Sequence, residues 1–482
     1  MGSTDSKKGD VYVSNQLTKA DVARKRVKDP TSLSSALTNG GPVVWLSCLI
    51  MGFGNIVAGQ FIKGLIFMAI EALAIVLMVV PIIPDMSKVA HSGLEWISML
   101  PSLGDTDDVK MEVNGIVKLV YGDRSHLILL YSVIFIAVMV AFVVIWRASV
   151  RSGYQALSKK KAGKKVYTFV EDVKALFDEN IHKLLMIIPF CLLMIFTVIP
   201  LIYMICMAFT NYNSTNERLF DWVGFETFAL LFESEGTIAK YFWSVLSWTL
   251  VWAFFATFLN FFLGTFMALI INRPTTRIKG FWRTMLSFTI AIPQFVSLLI
   301  IGNMFAYNGI INTMLKNAGW ITDSIKFVED VNNARIFVIV INLWVGIPYT
   351  VMQVTGILKN IPADLYEAAR IDGANTVQQF MNITLPYMVF VLTPYIITSF
   401  TGNINNFGVI YLLTGGGPMK TGASTEAGGT DLLVTWLYKL SVEKREYNLG
   451  AVIGIFTFII LAVISLVTYR SSGSYKDEEG FR

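Results

Sequence analysis

Six residues in two evenly spaced sets carry the polar chemistry of this chain. Asn342, Gly346 and Tyr349 lie at i, i+4 and i+7, and Ser399, Asn403 and Asn406 repeat that interval. On helices each set shares one face. Asparagine amides donate to and accept from hydroxyl groups, and a tyrosine ring covers the apolar face of a pyranose. The chemistry on offer is reversible binding of a neutral, hydroxyl-rich solute rather than bond breaking. No cationic cluster accompanies the sets, which argues against phosphate or carboxylate cargo. Helix–helix packing is the alternative reading for Asn, Ser and Gly in apolar surroundings, and Asn405, off the shared face, is assigned to packing. Cys48, Cys191 and Cys206 each sit in an apolar run, and His91, His126 and His182 are scattered. Neither residue type has metal-ligand or disulfide spacing, so no metal, no cofactor and no catalytic group is expected. The chain also lacks a Gly-x-x-x-x-Gly-Lys-Ser/Thr phosphate loop.

The elements that position these residues are membrane helices. The 482 residues are 54% hydrophobic and only 15% charged, with a mean hydropathy of +0.58, whereas a soluble domain carries about 25% charged residues. The expected fold is an all-α integral membrane protein. Eight apolar stretches are long enough to cross ~30 Å of hydrocarbon: residues 62–84, 126–146, 184–209, 241–271, 285–307, 335–358, 386–412 and 450–469. Segment 43–58 is apolar but short and glycine-interrupted, and reads as interfacial or re-entrant. With eight spans, most Lys and Arg fall on one side, with both termini and the loops 147–183, 272–284 and 359–385. Lys/Arg excess marks the cytoplasm, so both termini are expected there. Residues 1–38 read as a disordered tail without secretory signal architecture. The Lys159–Lys165 run reads first as a positive-inside anchor and second as a site for anionic lipid. Glu71, inside the first span, is expected to pair with a polar neighbour and is given no functional role.

Between two of these spans runs a polar segment from Glu367 to Pro386. It follows the pattern EAA, three residues, G, nine residues, I-x-LP. Pro362 suits a first helical turn, and Gly373 suits the left-handed position that ends a helix. Asn375 and Gln378 are spaced as a cap for a second short helix, after which Pro386 starts the next span. The segment resembles the cytoplasmic coupling loop of ABC-importer permeases. The resemblance implies that Glu367, Ala368, Ala369, Asp372, Gly373 and Pro386 belong to a loop docking on an ATPase subunit.

Further runs tighten the resemblance: Asn342 to Tyr349, Ser399 to Phe407, Leu413 to Pro418 and Gly429 to Val434. With the loop they look like the MalF-type permease of maltose/maltodextrin importers, densely over 335–469 and more loosely over 184–334. The resemblance implies a type I ABC-importer permease core of six helices at 184–470, holding the loop 359–386. A membrane extension at 39–183 and a tail at 471–482 flank it. Asn342, Gly346, Tyr349, Ser399, Asn403 and Asn406 would line the sugar site. Partners would be a second related permease, two ATPase subunits and an extracellular sugar-binding protein, in a bacterial cell membrane and without nucleic acid. The outer segment 413–449 is expected to meet the binding protein. Val345 departs from the usual leucine, and Gly402 stands where the maltose permease has a phenylalanine, which widens the site. The loop at 210–240 is short where the enteric permease carries a folded domain, which fits a lipid-anchored binding protein. Raffinose-type sugars or a plant glycan remain alternative cargo. A secondary transporter or a membrane enzyme is an alternative of another class.

Overall fold

Long helices dominate because backbone groups in hydrocarbon must be satisfied within the segment. The computed structural model describes residues 32–84, 90–104, 109–113, 116–120, 124–273, 275–419 and 425–471. The expected N-terminal tail up to residue 31 and the C-terminal tail from residue 472 lie outside them. Contacts divide the chain into two units, residues 1–203 and 204–482. Seven described helices are long and apolar enough to cross a membrane, and an eighth candidate is a helix pair bent by 86°.

The first unit holds α1 (Leu33–Asn39), α2 (Gly41–Leu49), α3 (Phe53–Ala58), α4 (Phe61–Val79), α5 (Gly93–Met99), α6 (Ser125–Lys161) and α7 (Phe169–Phe177). The helix α8 (Ile181–Met207) runs across the division between units. Two short antiparallel ribbons lie between α4 and α6. Segment 43–58 forms α2 and α3, both too short to span, broken at Gly52 with φ 80°. A Cβ on Gly52 would sit 2.3 Å from the Gly64 carbonyl oxygen, so only glycine fits. Side chains satisfy the amides freed by the break. Glu71 accepts from the Met51 N–H at 2.8 Å, and Ser149 Oγ accepts from the Gly52 N–H at 2.9 Å. Glu71 therefore has the polar partner that its costly position requires. In the basic run, Lys160 donates to the Val57 carbonyl, Lys159 lies over the Tyr167 ring, and Lys165 pairs with Glu171. The Lys165 contact and then the Thr168 N–H hold the Glu171 carboxyl down at about 2.

The second unit contains α9 (Thr237–Asn272), α10 (Lys279–Ala291), α11 (Gln294–Met304), α12 (Ile310–Asn317) and α13 (Val331–Asn360). After these come α14 (Ala363–Ile371), α15 (Thr376–Gln379), α16 (Leu385–Ile404), α17 (Phe407–Thr414), α18 (Leu433–Tyr438) and α19 (Tyr447–Ser471). The stretch 285–307, expected to be one span, is the bent pair α10–α11. Its break falls at Pro293, which lacks the N–H needed to continue a helix. Helices α9, α13 and α16 pack together, and one core cluster joins Trp252, Leu298, Phe337, Ile404, Val409 and Ile410. Lipid is as apolar as leucine, so close packing of small residues replaces the hydrophobic effect here. Gly264 of α9 meets Thr350 of α13, where a Cβ would come within 2.5 Å of Thr350 Cβ.

One loop is pinned by charge. Asp431, fully buried, accepts from Lys439 Nζ at 2.8 Å, from the Gly428 N–H at 2.7 Å and from Thr435 Oγ1 at 2.9 Å. Changing Asp431 to leucine strands the buried Lys439 ammonium and is expected to cost about 3–5 kcal/mol. Thermal unfolding of the purified membrane complex measures this. Adding Lys439→Met should recover much of the lost midpoint, and an unshifted single variant would refute the assignment.

Candidate functional site

Gly346 allows α13 to approach α9, and the approach creates a polar cavity. A Cβ on Gly346 would lie 2.5–2.6 Å from the side-chain atoms of Asn260. The cavity measures about 270 Å3 and is lined from α9, α13 and α16, with Asn406 at its edge. All six residues singled out as the solute face line it: Asn342, Gly346, Tyr349, Ser399, Asn403 and Asn406. Asn342 is buried and Tyr349 is half exposed. No lining side chain carries a charge.

Asn406 reaches the cavity by another route than helical spacing. Helix α16 stops at Ile404, and Asn406 is the N-cap of α17, its Oδ1 accepting from the Val409 N–H at 3.2 Å. Its Nδ2 donates to Asn403 Oδ1 at 3.3 Å, and Asn403 Nδ2 donates to Thr257 Oγ1 at 3.0 Å. The expectation of one continuous helix face therefore fails at its last member. The chain leaves α16 at Asn405, and the Asn406 side chain, as an N-cap, starts α17 instead of continuing the face of α16. Asn405, expected to pack, is instead the exposed C-cap of α16.

Thr257, Asn260, Thr350 and Tyr395 also line the cavity and were not singled out. Asn260 Nδ2 donates to the Ala256 carbonyl at 2.6 Å, while its buried Oδ1 has no protein partner. Thr350 Oγ1 and Tyr395 OH are 3.3 Å apart. An unsatisfied buried amide oxygen is costly, and a donor-bearing solute in the cavity would satisfy it. Gly402 also borders the cavity, with open space beyond its Cα.

At the other end of α16 the polar segment folds into a protruding elbow. Helix α14 ends at Ile371 with Asp372 as its C-cap, and Gly373 turns the chain with φ 79°. Asn375 and Gln378 form a reciprocal capping box, with bonds of 2.8 and 2.9 Å. The second arm is not the separate short helix expected. It continues from α15 through a π turn (Phe380–Thr384) into α16, so the rod beginning at Asn375 passes Pro386 and enters the bundle. The wide π turn just before Pro386 accommodates a residue that cannot donate to the helix. Tyr366 OH meets Thr384 Oγ1 at 2.8 Å and ties α14 back to this rod. Glu367, Ala368, Asp372 and Gly373 are exposed and Ala369 is half-buried, while the apolar Ile371 and Val377 are 86% and 69% exposed.

Residues 260–473, which include the elbow and all of the cavity lining except Thr257, match the family described as the binding-protein-dependent transport system inner membrane component. The galactooligosaccharide transport permease GanP of Bacillus subtilis is 34% identical over 445 residues, covering 90% of this chain and 99% of the relative. The chain belongs to this permease family. The maltodextrin permease MdxF of Bacillus subtilis is 32% identical, again covering 90% of this chain and 96% of the relative. Among solved structures, a permease chain of a bacterial ABC transporter that imports the acidic polysaccharide alginate superposes with a TM-score of 0.51 at 22% identity. That match covers 62% of this chain and 96% of the other, and shows shared fold alone. As a member of the family, the chain is a multi-pass inner-membrane permease subunit of an ABC importer. It works with a binding protein and partner subunits, and ATP hydrolysis resides in separate ATPase subunits.

Proposed function

We propose that this permease moves neutral oligosaccharides of the maltodextrin type, and that Asn342, Gly346, Tyr349, Ser399, Asn403 and Asn406 bind them in transit. The observation that carries the reading is the convergence of these six residues on one uncharged cavity. Amides and hydroxyls match sugar hydroxyls, and Tyr349, Tyr395 and Phe261 offer ring surfaces. Galactooligosaccharide is the second reading, favoured by the GanP likeness over nearly the whole chain. The open space at Gly402 suits either.

In this reading the chain pairs with a second related permease above two ATPase subunits, with both termini in the cytoplasm. A lipid-anchored binding protein delivers sugar from outside and meets segment 413–449. The elbow, with Glu367, Ala368, Ala369, Asp372, Gly373 and Pro386, transmits closure of the ATPase pair. Its continuity with α16 supports this role, because a push on the elbow displaces the rod that carries Ser399 and Asn403. Transport then requires ATP and loaded binding protein to bind one state of the bundle better than the other.

The test is ATPase activity and uptake by the reconstituted complex with its binding protein, across maltodextrins and galactooligosaccharides. Asn403→Ala removes the link between Thr257 and Asn406 and is expected to cut maltodextrin uptake about tenfold or more, as losing a sugar-directed amide does, with the complex still assembled. Stimulation by galactooligosaccharides alone would move the cargo to the second reading. Uptake that persists without the ATPase subunits would overturn the importer mechanism.

A further inference from the structure

A second cavity, of about 420 Å3, lies at the far end of α17, where α11 packs on it. Residues Thr376–Thr414 form one membrane-length stretch with the elbow at its start. The first cavity borders Asn406, and the second borders Leu412. Asn406 and Leu412 are six positions apart at the start and near the end of α17, ~9 Å along the axis. Seen from the elbow, the second cavity lies beyond the first. Between them stands a dry layer in which Leu298, Val409 and Ile410 are fully buried beside Trp252 and Ile404.

The second cavity presents hydrogen-bond acceptors on an apolar bed. Glu329 lines it, with one carboxylate oxygen accepting from the Tyr307 N–H at 3.0 Å and the other from the Val328 N–H at 3.3 Å. The fixed carboxylate retains lone pairs for further donors. The carbonyls of Leu412 and Leu413, in the last turn of α17, lie against Gly302, where a Cβ would come within 2.9 Å of the Leu413 oxygen. Carbonyls of a last turn have no partner within their own helix. Leu299, Ala306, Val328 and Pro418 supply apolar surface.

We propose that this cavity is an outer subsite holding sugar units of the oligosaccharide before the dry layer opens. Hydroxyl donors of a neutral sugar meet the Glu329 carboxylate and the helix-end carbonyls, while ring faces rest on the apolar bed. The carboxylate and the negative helix end disfavour uronic acids. With the two cavities set along one stretch of chain, only chains of several sugars are long enough to engage both once the layer between them opens. This deepens the oligosaccharide reading and rests on it.

The test uses the complete reconstituted complex with its binding protein and a ladder of maltodextrins from di- to heptasaccharide. Ala306→Trp fills the cavity, and Glu329→Gln removes its charge while keeping an acceptor for the Tyr307 N–H. Expected for Ala306→Trp is a fall of about tenfold in heptasaccharide uptake with disaccharide uptake held within about twofold, since lost sugar contacts discriminate by such factors. Glu329→Gln should raise the apparent KM for long chains with little change in kcat. An equal loss at every length, or no loss at any length, overturns the subsite while leaving the sugar reading intact. A wild-type complex that imports no member of the ladder, nor any galactooligosaccharide, sinks the sugar reading and the subsite with it.

Discussion

Gly346→Val is expected to abolish oligosaccharide uptake while the complex still assembles. A Cβ at position 346 falls 2.5 Å from Asn260 Nδ2 and 2.6 Å from its Oδ1 and Cγ. Real Cβ atoms do not approach so closely, so Asn260 must leave its bond to the Ala256 carbonyl or α9 must separate from α13. Overpacking of this kind costs about 1–3 kcal/mol, and here the strain enters the wall of the cavity. The branched side chain also occupies the space between Asn342 and Tyr349. Sugar uptake in vesicles and the yield of assembled complex are the two readouts. Gly356→Ala on the same helix meets open space and should leave both unchanged. Gly346→Ala should fall between the two, and Asn260→Ala in the same chain should restore part of its uptake. Normal uptake by the valine variant would remove this cavity from the solute path.

Gly373→Val is expected to uncouple the motor from the bundle. The residue holds φ 79° with nothing within 4 Å of where a Cβ would sit, so the penalty is purely one of backbone conformation. Left-handed geometry costs an L-residue roughly 1–2 kcal/mol, and asparagine tolerates it best. The order of retained sugar-stimulated ATPase activity should therefore be glycine, asparagine, alanine and then valine. Valine should lose about tenfold, the equivalent of ~1.4 kcal/mol. The comparison is made at equal amounts of membrane complex, with co-purification of the ATPase subunits measured alongside. An asparagine variant as impaired as valine would mean that the residue acts through contact space rather than through its backbone angle.

Much of the elbow is legible in the sequence because its determinants are local. A glycine at a helix end and an Asn–Gln pair three residues apart act within one turn. The structure realises both, through Gly373 and the capping box of Asn375 and Gln378. Spans are legible for a similar reason, since a length of apolar chain suffices to identify them. The bend at Pro293 is less so, and for 43–58 the sequence marks a short, glycine-interrupted stretch but not how its break is held. How sharply a broken helix turns depends on what receives its freed amides, and at Gly52 those receivers, Glu71 and Ser149, lie far along the chain.

The cavity divides along the same line. Asn342, Gly346, Tyr349, Ser399 and Asn403 announce themselves by helical spacing within two apolar helices. Asn260 and Thr257 give no such signal, because isolated small polar residues in a long apolar helix look the same whether they pack or bind. Only the approach of α13 through Gly346 marks Asn260 as part of a wall. Asn406 shows the limit from the other side. Periodicity places it on the face of α16, but that helix has already ended at Ile404, and Asn406 lines the cavity as the N-cap of α17, bonded to Asn403. By itself the sequence determined the membrane class, the turn and capping box of the elbow and the uncharged character of the two polar helix faces, since these depend on residue type and short-range spacing. Tertiary structure alone decided which distant helices close the cavity and where the dry layer falls, since those rest on contacts between residues far apart in the chain.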